Sequence, residues 1–272
     1  MEQFDYLLSN IGFTLDYFKY WVVSVILWTL LYLVIHFFVK VKSKSKKDEN
    51  DTKNRIVSII HGVFCIYVGL TDTFVNNAEI FGVSNTEFQN YMMLISKAYF
   101  FYDTIACIIM GISNLPMLLH HLFCILGFYS SIVYNLSATE IIKAMLATEI
   151  TNPVMHMREI FKNSNMGKTK IYLLFELTYM SLYILARPGW GTYLMYLTFS
   201  CSTSLVLVKM SALFLFFQSV FFSYKMIGVF KFRFTEYQER KKNKICLWWF
   251  ENNKQIDDME IYKKKKEKVN IP

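Results

Sequence analysis

The sequence predicts an all-α, polytopic membrane protein with about seven transmembrane helices, and three observations support that fold class. Of the 272 residues, 54% are hydrophobic and 18% are aromatic, whereas only 18% are charged. The apolar residues form runs that reach the length of about 20 residues needed to cross a bilayer as a helix. The formal charge of +8 is concentrated outside those runs, in residues 40–55 and from Lys231 onward. This composition excludes an ordinary soluble domain.

Each predicted helix is delimited by a change in composition or by a helix-breaking residue. The first apolar run is long and ends in lysines, which favours a retained helix over a cleaved signal peptide. Pro153 predicts a kink in the fifth helix, and Arg187-Pro188-Gly189 predicts the end of the sixth. The predicted transmembrane helices are 17–40, 56–73, 91–113, 116–134, 139–161, 170–187 and a seventh within 193–229.

The lysines predict the orientation of these helices. Seven crossings place residues 41–54, residues 162–169 and the C-terminal tail on one side, and these segments hold nearly all the lysines. The positive-inside rule makes that side cytoplasmic. Residues 74–90, which contain no lysine or arginine, and a turn near 189 fall on the opposite side.

The charge pattern also divides the chain into three regions. We expect an N-terminal transmembrane helix with a basic loop in 1–54, a six-helix membrane domain in 55–230 and a basic cytoplasmic tail in 231–272. Basic segments beside transmembrane helices are typical of binding to anionic lipid headgroups, and we expect no nucleic-acid partner.

Ionisable side chains in the apolar runs are costly in a bilayer and therefore indicate function. His61, His120, His121 and His156 lie on three different predicted helices. Each lies about 6–9 Å of helical rise from a cytoplasmic helix end, at 1.5 Å per residue. Agreement in depth between sequence-distant residues predicts a single cluster.

The fifth helix strengthens the prediction of one polar cluster. Glu149, Asn152 and His156 have the spacing i, i+3, i+7 and project from one helical face. Asp103 on the third helix and Glu176 on the sixth add carboxylates. Five neighbouring helices thus each supply an inward polar group.

Structural alternatives exist for these polar residues. A lone membrane histidine such as His61 can simply hydrogen bond to a neighbouring helix. Asp103 and Glu149 can be buried ion-pair partners of Lys97, Lys143 or Lys209. No HxxxH or HxxH spacing places two histidines on one helical face, so we expect no metal site.

Several motifs in order resemble the TLC-domain family, which includes the translocating-chain-associating protein and the ceramide synthases. The resemblance runs from about residue 55 to 231. The Glu/Asn-Pro/Arg pattern of the fifth helix is similar to the smaller TLC-domain-containing proteins, whereas ceramide synthases carry His-Asp-x-x-Asp after the histidine pair. The motifs are Ser58-Ile59-Ile60-His61-Gly62, Tyr99-Phe100-Phe101-Tyr102-Asp103, His120-His121, Glu149-Ile150-Thr151-Asn152-Pro153 with His156 and Arg158, and Arg187-Pro188.

The resemblance implies a barrel of helices 2 to 7 around a tunnel that is open to the cytoplasm, with helix 1 outside. It implies a protein that binds lipid in the barrel and influences membrane lipid composition. We expect the endoplasmic reticulum membrane, with other internal membranes or the plasma membrane left open. The residues expected to line the lipid cavity are His61, Glu149, Asn152, Arg158, Glu176 and Arg187.

Two other functions remain open. The first is acyl transfer of the ceramide-synthase type, with acyl-CoA as substrate and an amine or lysolipid as acceptor. Its catalytic candidates are His120 and His121, with Asp103 and His156, because an imidazole can act as a general base or as a nucleophile. The second is a structural or trafficking subunit of a homo- or hetero-oligomeric membrane assembly. None of these functions requires a cofactor.

Overall fold

The computed structural model describes residues 15–263, which are helical apart from short connections and part of the C-terminal segment. In that part of the chain no β-strand occurs beyond one isolated bridge, between Ser84 and Leu136. The predicted all-α class is confirmed. The helices are α1 (Leu15–Phe38), α2 (Lys46–Phe74), α3 (Glu87–Ile109), α4 (Leu115–Tyr134), α5 (Ala138–Glu149), α6 (Asn152–Asn163), α7 (Lys170–Ile184), a π-helical segment (Leu185–Trp190), α8 (Gly191–Ser200), α9 (Val206–Lys242) and a short 3-10 helix (Lys254–Ile256).

Five of these helices, α1, α2, α3, α4 and α9, are long and apolar enough to cross a membrane. They also expose large apolar side chains at their surface, such as Leu27, Phe37, Tyr67 and Phe217. Apolar exposure on this scale suits contact with lipid rather than with water. The chain is therefore a membrane protein, and the number of crossings stays a prediction.

One end of the helical bundle carries most of the basic connections, and we call it the basic end. Nζ of Lys53 donates a hydrogen bond to the carbonyl of His36 at 3.0 Å, which joins the end of α1 to the first turns of α2. Nδ2 of Asn163 donates to Oδ2 of Asp51 at 2.7 Å, which joins the end of α6 to the same place. The basic end contains residues 39–45, 110–114, 164–169 and 243–263.

The other connections meet at the opposite end, which we call the far end. The backbone N–H of Asn85 donates to the carbonyl of Asn135 at 3.2 Å. The N–H of Leu205 donates to Oγ of Ser137, also at 3.2 Å. Connections thus alternate between the two ends, with α5 and α6 forming one stretch and α7, the π-helical segment and α8 forming another. The far end contains residues 75–86, 135–137 and 201–205.

The helices that enclose the interior contact one another in the order α2, α3, α4, α9, α7 and α6, and α6 returns to α2. Helix α5, which is not part of this order, contacts α2, α3, α4 and α8. Helix α1 packs outside, against α3 and α2. This order is what a closed ring of helices requires, and the TLC-type barrel itself stays a prediction.

The predicted end of the sixth helix at Arg187-Pro188-Gly189 is wrong. Pro188 removes a backbone donor, but the helix widens into a π-helical segment instead of stopping. In this wider turn the N–H of Gly191 bonds to the carbonyl of Ala186. The connection predicted near residue 189 therefore lies at 201–205, and Arg187 lies inside a helical stretch.

Three other boundaries differ from the prediction. Helix α2 begins at Lys46 because the Ser45 side chain caps it, accepting from the N–H of Asp48 at 3.1 Å. The predicted fifth helix is two helices, because Pro153 cannot donate a hydrogen bond to Glu149. Helix α9 continues to Lys242, beyond the predicted limit of the seventh helix at 229, and the domain boundary at 230 stays a prediction.

Candidate functional site

A polar cavity of about 490 Å³ lies inside the ring of helices toward the basic end. Every site residue predicted from the sequence lines it except His61. These residues come from α3 to α7 and from the π-helical segment, and α9 adds Gln218 and Lys225. The predicted residues in its wall are Asp103, His120, His121, Glu149, Asn152, His156, Arg158, Glu176 and Arg187.

His61 lies in a layer behind the cavity wall. It is fully buried, and its ring stacks on that of Tyr99 at 3.6 Å between centroids. Tyr99 lines the cavity and separates His61 from it. Nδ1 of His61 lies 3.7 Å from Oε2 of Glu149, so His61 contacts the cavity through that carboxylate. A role for His61 in lipid binding stays a prediction.

The group best placed to bind a metal, among residues 15–263, is His61 with Cys65 and Glu149. Their ligand atoms lie within 4.8 Å of one another. Nε2 of His61 and Sγ of Cys65, at 3.2 Å, form a hydrogen bond, so these atoms already satisfy each other. Closed structural zinc sites take four protein ligands, and this group supplies three. The predicted absence of a metal stays a prediction.

His121 lies between a hydroxyl and a carboxylate. Its Nδ1 is 2.9 Å from Oγ1 of Thr104, and that hydroxyl uses its single hydrogen on the carbonyl of Phe100 at 2.6 Å. Nδ1 must therefore donate. Nε2, 3.5 Å from Oδ2 of Asp103, is then either a free base or the second N–H of an imidazolium that faces the carboxylate.

His120 is held by α9. Its Nδ1 is 3.1 Å from Oε1 of Gln218, whose amide nitrogen donates to the carbonyl of Pro116 at 2.8 Å. Because Oε1 can only accept, Nδ1 of His120 donates and Nε2 of the neutral ring keeps a lone pair. The sequence offered one signal for Gln218, a lone amide in an otherwise apolar run, and the sequence interpretation missed it.

A chain of hydrogen bonds connects the Glu149 carboxylate to the Arg187 guanidinium at the break between α5 and α6. Nδ2 of Asn152 donates to Oε2 of Glu149 at 2.8 Å. Nη2 of Arg187 donates to Oδ1 of Asn152 at 2.9 Å and to the carbonyl of Thr148 at 2.8 Å. Nε of Arg187 is buried without a hydrogen-bond partner among the described residues. The π-helical segment thus places an incompletely bonded guanidinium in the cavity wall.

Glu176 belongs to an ion network at the basic end. Its Oε1 accepts from Nη2 of Arg158 and from the hydroxyl of Tyr172, each at 2.9 Å, and Oε2 accepts from Arg233. Its carboxylate is therefore saturated by protein donors. Arg233 lies in the region predicted as a tail, and the sequence interpretation missed it. A lipid-binding role for Glu176 and Arg158 stays a prediction.

The C-terminal segment covers this network from outside. Leu247, Ile256 and Met259 form a small core that packs against Leu173 of α7. Nη1 of Arg233 reaches the hydroxyl of Tyr262 at 3.4 Å. Burial raises the pKa of Tyr262, so this phenol stays protonated and uncharged beside the network.

Two small apolar cavities adjoin the polar cavity on the side of the far end, and we call them the apolar slots. Their volumes are about 60 Å³ and about 50 Å³. Phe100 lines both the polar cavity and the larger slot, and Arg187 lines both the polar cavity and the smaller slot. The interior therefore changes from polar to apolar along the bundle. The residues shared by the two slots are Ala144, Thr148, Thr198, Ala212 and Leu215.

Residues 51–228, more than half of the chain, match the family model of the TLC domain. The matched span contains every residue that lines the polar cavity except Val229. No solved structure matches the chain.

Proposed function

This chain belongs to the TLC-domain family, and we propose that it binds a membrane lipid inside its helical ring and thereby influences membrane lipid composition. One observation carries the proposal: the polar cavity adjoins the apolar slots, with Phe100 and Arg187 in the shared walls. An amphiphile needs this combination, because its headgroup needs hydrogen-bond partners and its chain needs an apolar wall.

The size and chemistry of the cavity support a small headgroup. Ligand sites in proteins commonly occupy about 300–1,000 Å³, and the polar cavity has about 490 Å³. Its wall supplies donors such as Arg187 and acceptors such as Glu149. Against lipid tails these groups would be costly, whereas a headgroup or water in the cavity satisfies them. The slots are narrow, so a chain enters them only when neighbouring side chains move.

The membrane arrangement is part of the proposal. We take the seven helical stretches as seven crossings, with α2 to α9 as the TLC-type barrel and the basic end in the cytoplasm, because lysines accumulate there. The membrane is that of the endoplasmic reticulum. The basic loop and the C-terminal tail contact anionic headgroups at its surface.

A second candidate function, acyl transfer from acyl-CoA, is favoured by the histidine pair. Gln218 leaves a lone pair on Nε2 of His120, and Asp103 faces His121. Such an imidazole can accept the proton of an amine or hydroxyl while that group attacks the thioester, and coenzyme A leaves as the thiolate. The polar residues can equally serve as helix contacts in a larger assembly, which is the third candidate.

Lipid that co-purifies with the protein tests the leading proposal. We expect mass spectrometry of protein purified in mild detergent to find about one tightly held lipid per chain. Ala144→Phe, which adds a large side chain at a position lining both slots, should lose it. Leu177→Phe, at an exposed apolar position of α7, is the matched control and should keep it. Equal retention by both variants, or no lipid in the wild type, would overturn the proposal.

A further inference from the structure

We propose that Arg187 binds an anionic headgroup, a carboxylate or a phosphate, on the lipid held in the cavity. The inference rests on the proposed function and names the chemical class of the ligand. It starts from a cation without a direct ion pair: among residues 15–263, no carboxylate forms a salt bridge with Arg187, and Glu149 is connected to it only through Asn152. Arg187 is half-buried and its Nε atom is fully buried. A cation in that position without a directly bound counter-ion is costly, and an anionic ligand reduces that cost.

The Arg187 guanidinium has N–H donors that no protein group uses. Its two hydrogen bonds, to Thr148 and Asn152, both use Nη2. Nε is buried without a partner, and Nη1 has no hydrogen bond within the described chain. One face of the group packs over the ring of Tyr183 at 4.9 Å. A planar guanidinium fixed in this way is suited to recognise carboxylate or phosphate oxygens.

Apart from Lys225, the other charges in the cavity wall are already matched by protein groups. Asp103 accepts from Asn54 at 2.6 Å and faces His121. Glu149 accepts from Asn152, and its second neighbour is His61. The remaining pairs are Arg55 with Asp51, Arg158 with Glu159 and Glu176, and Arg233 with Glu176.

A second cation without a carboxylate lines the same cavity nearer the basic end. Lys225 is exposed, and its Nζ lies 4.4 Å from the ring centre of Phe221. The described residues give it no ion pair. An anion that enters from the basic end thus meets Lys225 first and Arg187 deeper in the ring.

The backbone at Arg187 supports a binding role independently. Arg187 lies in the π-helical segment, and π-helical turns are rare and concentrate at functional sites. Arg187 also lines both the polar cavity and the smaller apolar slot. A headgroup at Arg187 therefore places the first methylenes of its chain at the entrance to that slot.

Amphiphiles with one shared chain and different headgroups test the inference. The probes are oleate, oleoyl lysophosphatidate and uncharged monooleoylglycerol, each titrated against delipidated full-length protein. We expect wild type to bind at least one anionic probe about tenfold more tightly than monooleoylglycerol, a difference of about 1.4 kcal/mol. Which anionic probe binds better distinguishes a carboxylate from a phosphate ligand.

Two variants connect the preference to Arg187. Arg187→Gln should remove most of the preference for the anionic probe, and Arg187→Lys should keep part of it because the charge remains. Lys209→Gln removes a cation of α9 that lies outside the cavity wall and should leave the preference unchanged. If Arg187→Gln does not fold, the inference is tested by the wild-type preference and by its expected decrease in Arg187→Lys.

The possible failures are distinguishable. Equal, measurable binding of charged and uncharged probes by wild type would overturn the anionic headgroup and leave lipid binding standing. An anion preference that survives undiminished in Arg187→Gln, or in Arg187→Lys if the glutamine variant does not fold, would place the anion elsewhere and also overturn the inference. No binding of any probe would overturn the proposed function itself, and the headgroup inference with it.

Discussion

Gly69 of α2 lies against Leu146 of α5 so closely that a Cβ atom on Gly69 would be 2.6 Å from Cβ of Leu146. Real Cβ atoms do not approach one another to this distance, and Cβ of Leu146 is too near its own backbone to move freely. The contact lets α5 lie inside the ring of helices. The absence of a side chain at Gly69 therefore sets how closely α2 and α5 pack.

Gly69→Ala should destabilise the protein by about 1–3 kcal/mol, the usual cost of overpacking a tightly packed core. Gly228→Ala is the matched control, because a Cβ at Gly228 of α9 meets nothing within 4 Å. It should be neutral or slightly stabilising, since alanine favours a helix over glycine. Thermal unfolding of the purified variants measures both. Equal melting temperatures would contradict the close approach of α2 and α5.

Glu176→Gln should lower the free energy of unfolding by roughly 1.5–3 kcal/mol, the range for hydrogen bonds to charged groups. The reason is that Arg158 and Arg233 both lose a buried counter-ion, although Glu159 and Glu236 still contact them. Glu251→Gln, at an exposed position of the C-terminal segment, is the control and should change little. The same melting temperature for both variants would show that the ion network adds no stability.

The histidine pair separates the two leading functions. The lipid-binding proposal predicts no acyl-CoA-dependent product from purified wild type with long-chain acyl-CoA and an amine or lysolipid acceptor. It predicts weaker lipid retention for His121→Ala, because a hydrogen-bonding group in the cavity wall is lost. His36→Ala, at the end of α1 and outside the cavity wall, should retain lipid normally. Robust turnover that disappears in the His120→Ala, His121→Ala double variant would favour the enzyme instead.

The topology has its own test. We expect a glycosylation acceptor inserted into residues 75–86 or 201–205 to be modified, because both segments lie at the far end, which we assign to the lumen. The same acceptor in residues 39–45 or after residue 245 should stay unmodified. Modification at both ends, or the reverse pattern, would contradict seven crossings with a cytoplasmic basic end.

Much of the fold followed from the sequence, because hydropathy and helix length report directly on a membrane environment. The errors arose where tertiary contacts decide. Pro188 predicts a stop, but the π-helical segment continues while Arg187 bonds to Asn152 and Thr148 across the ring. Helix α9 continues beyond its apolar run, where Arg233 forms an ion pair with Glu176 of α7. No local pattern reveals either contact.

The sequence predicted how far along the bundle the site residues lie, but not which face of each helix turns toward the cavity. Counting residues from helix ends gave the level of the histidines in the bundle. Which face of α2 turns toward the cavity depends on packing, and there His61 stacks behind Tyr99. Gln218 was missed because a single amide carries little weight in a sequence, although it sets the tautomer of His120.

The most direct test of lipid binding inside the ring is a photo-crosslink between a fatty acyl probe and the protein in membranes. A probe with a diazirine near the methyl end of its chain should label peptides that contain Ala144, Thr198 or Ala212, three of the five residues shared by the two slots. Ala144→Phe should reduce this labelling, and Leu177→Phe should not. Labelling confined to outward-facing positions such as Leu27 or Phe217, unchanged by Ala144→Phe, would contradict a lipid site inside the ring.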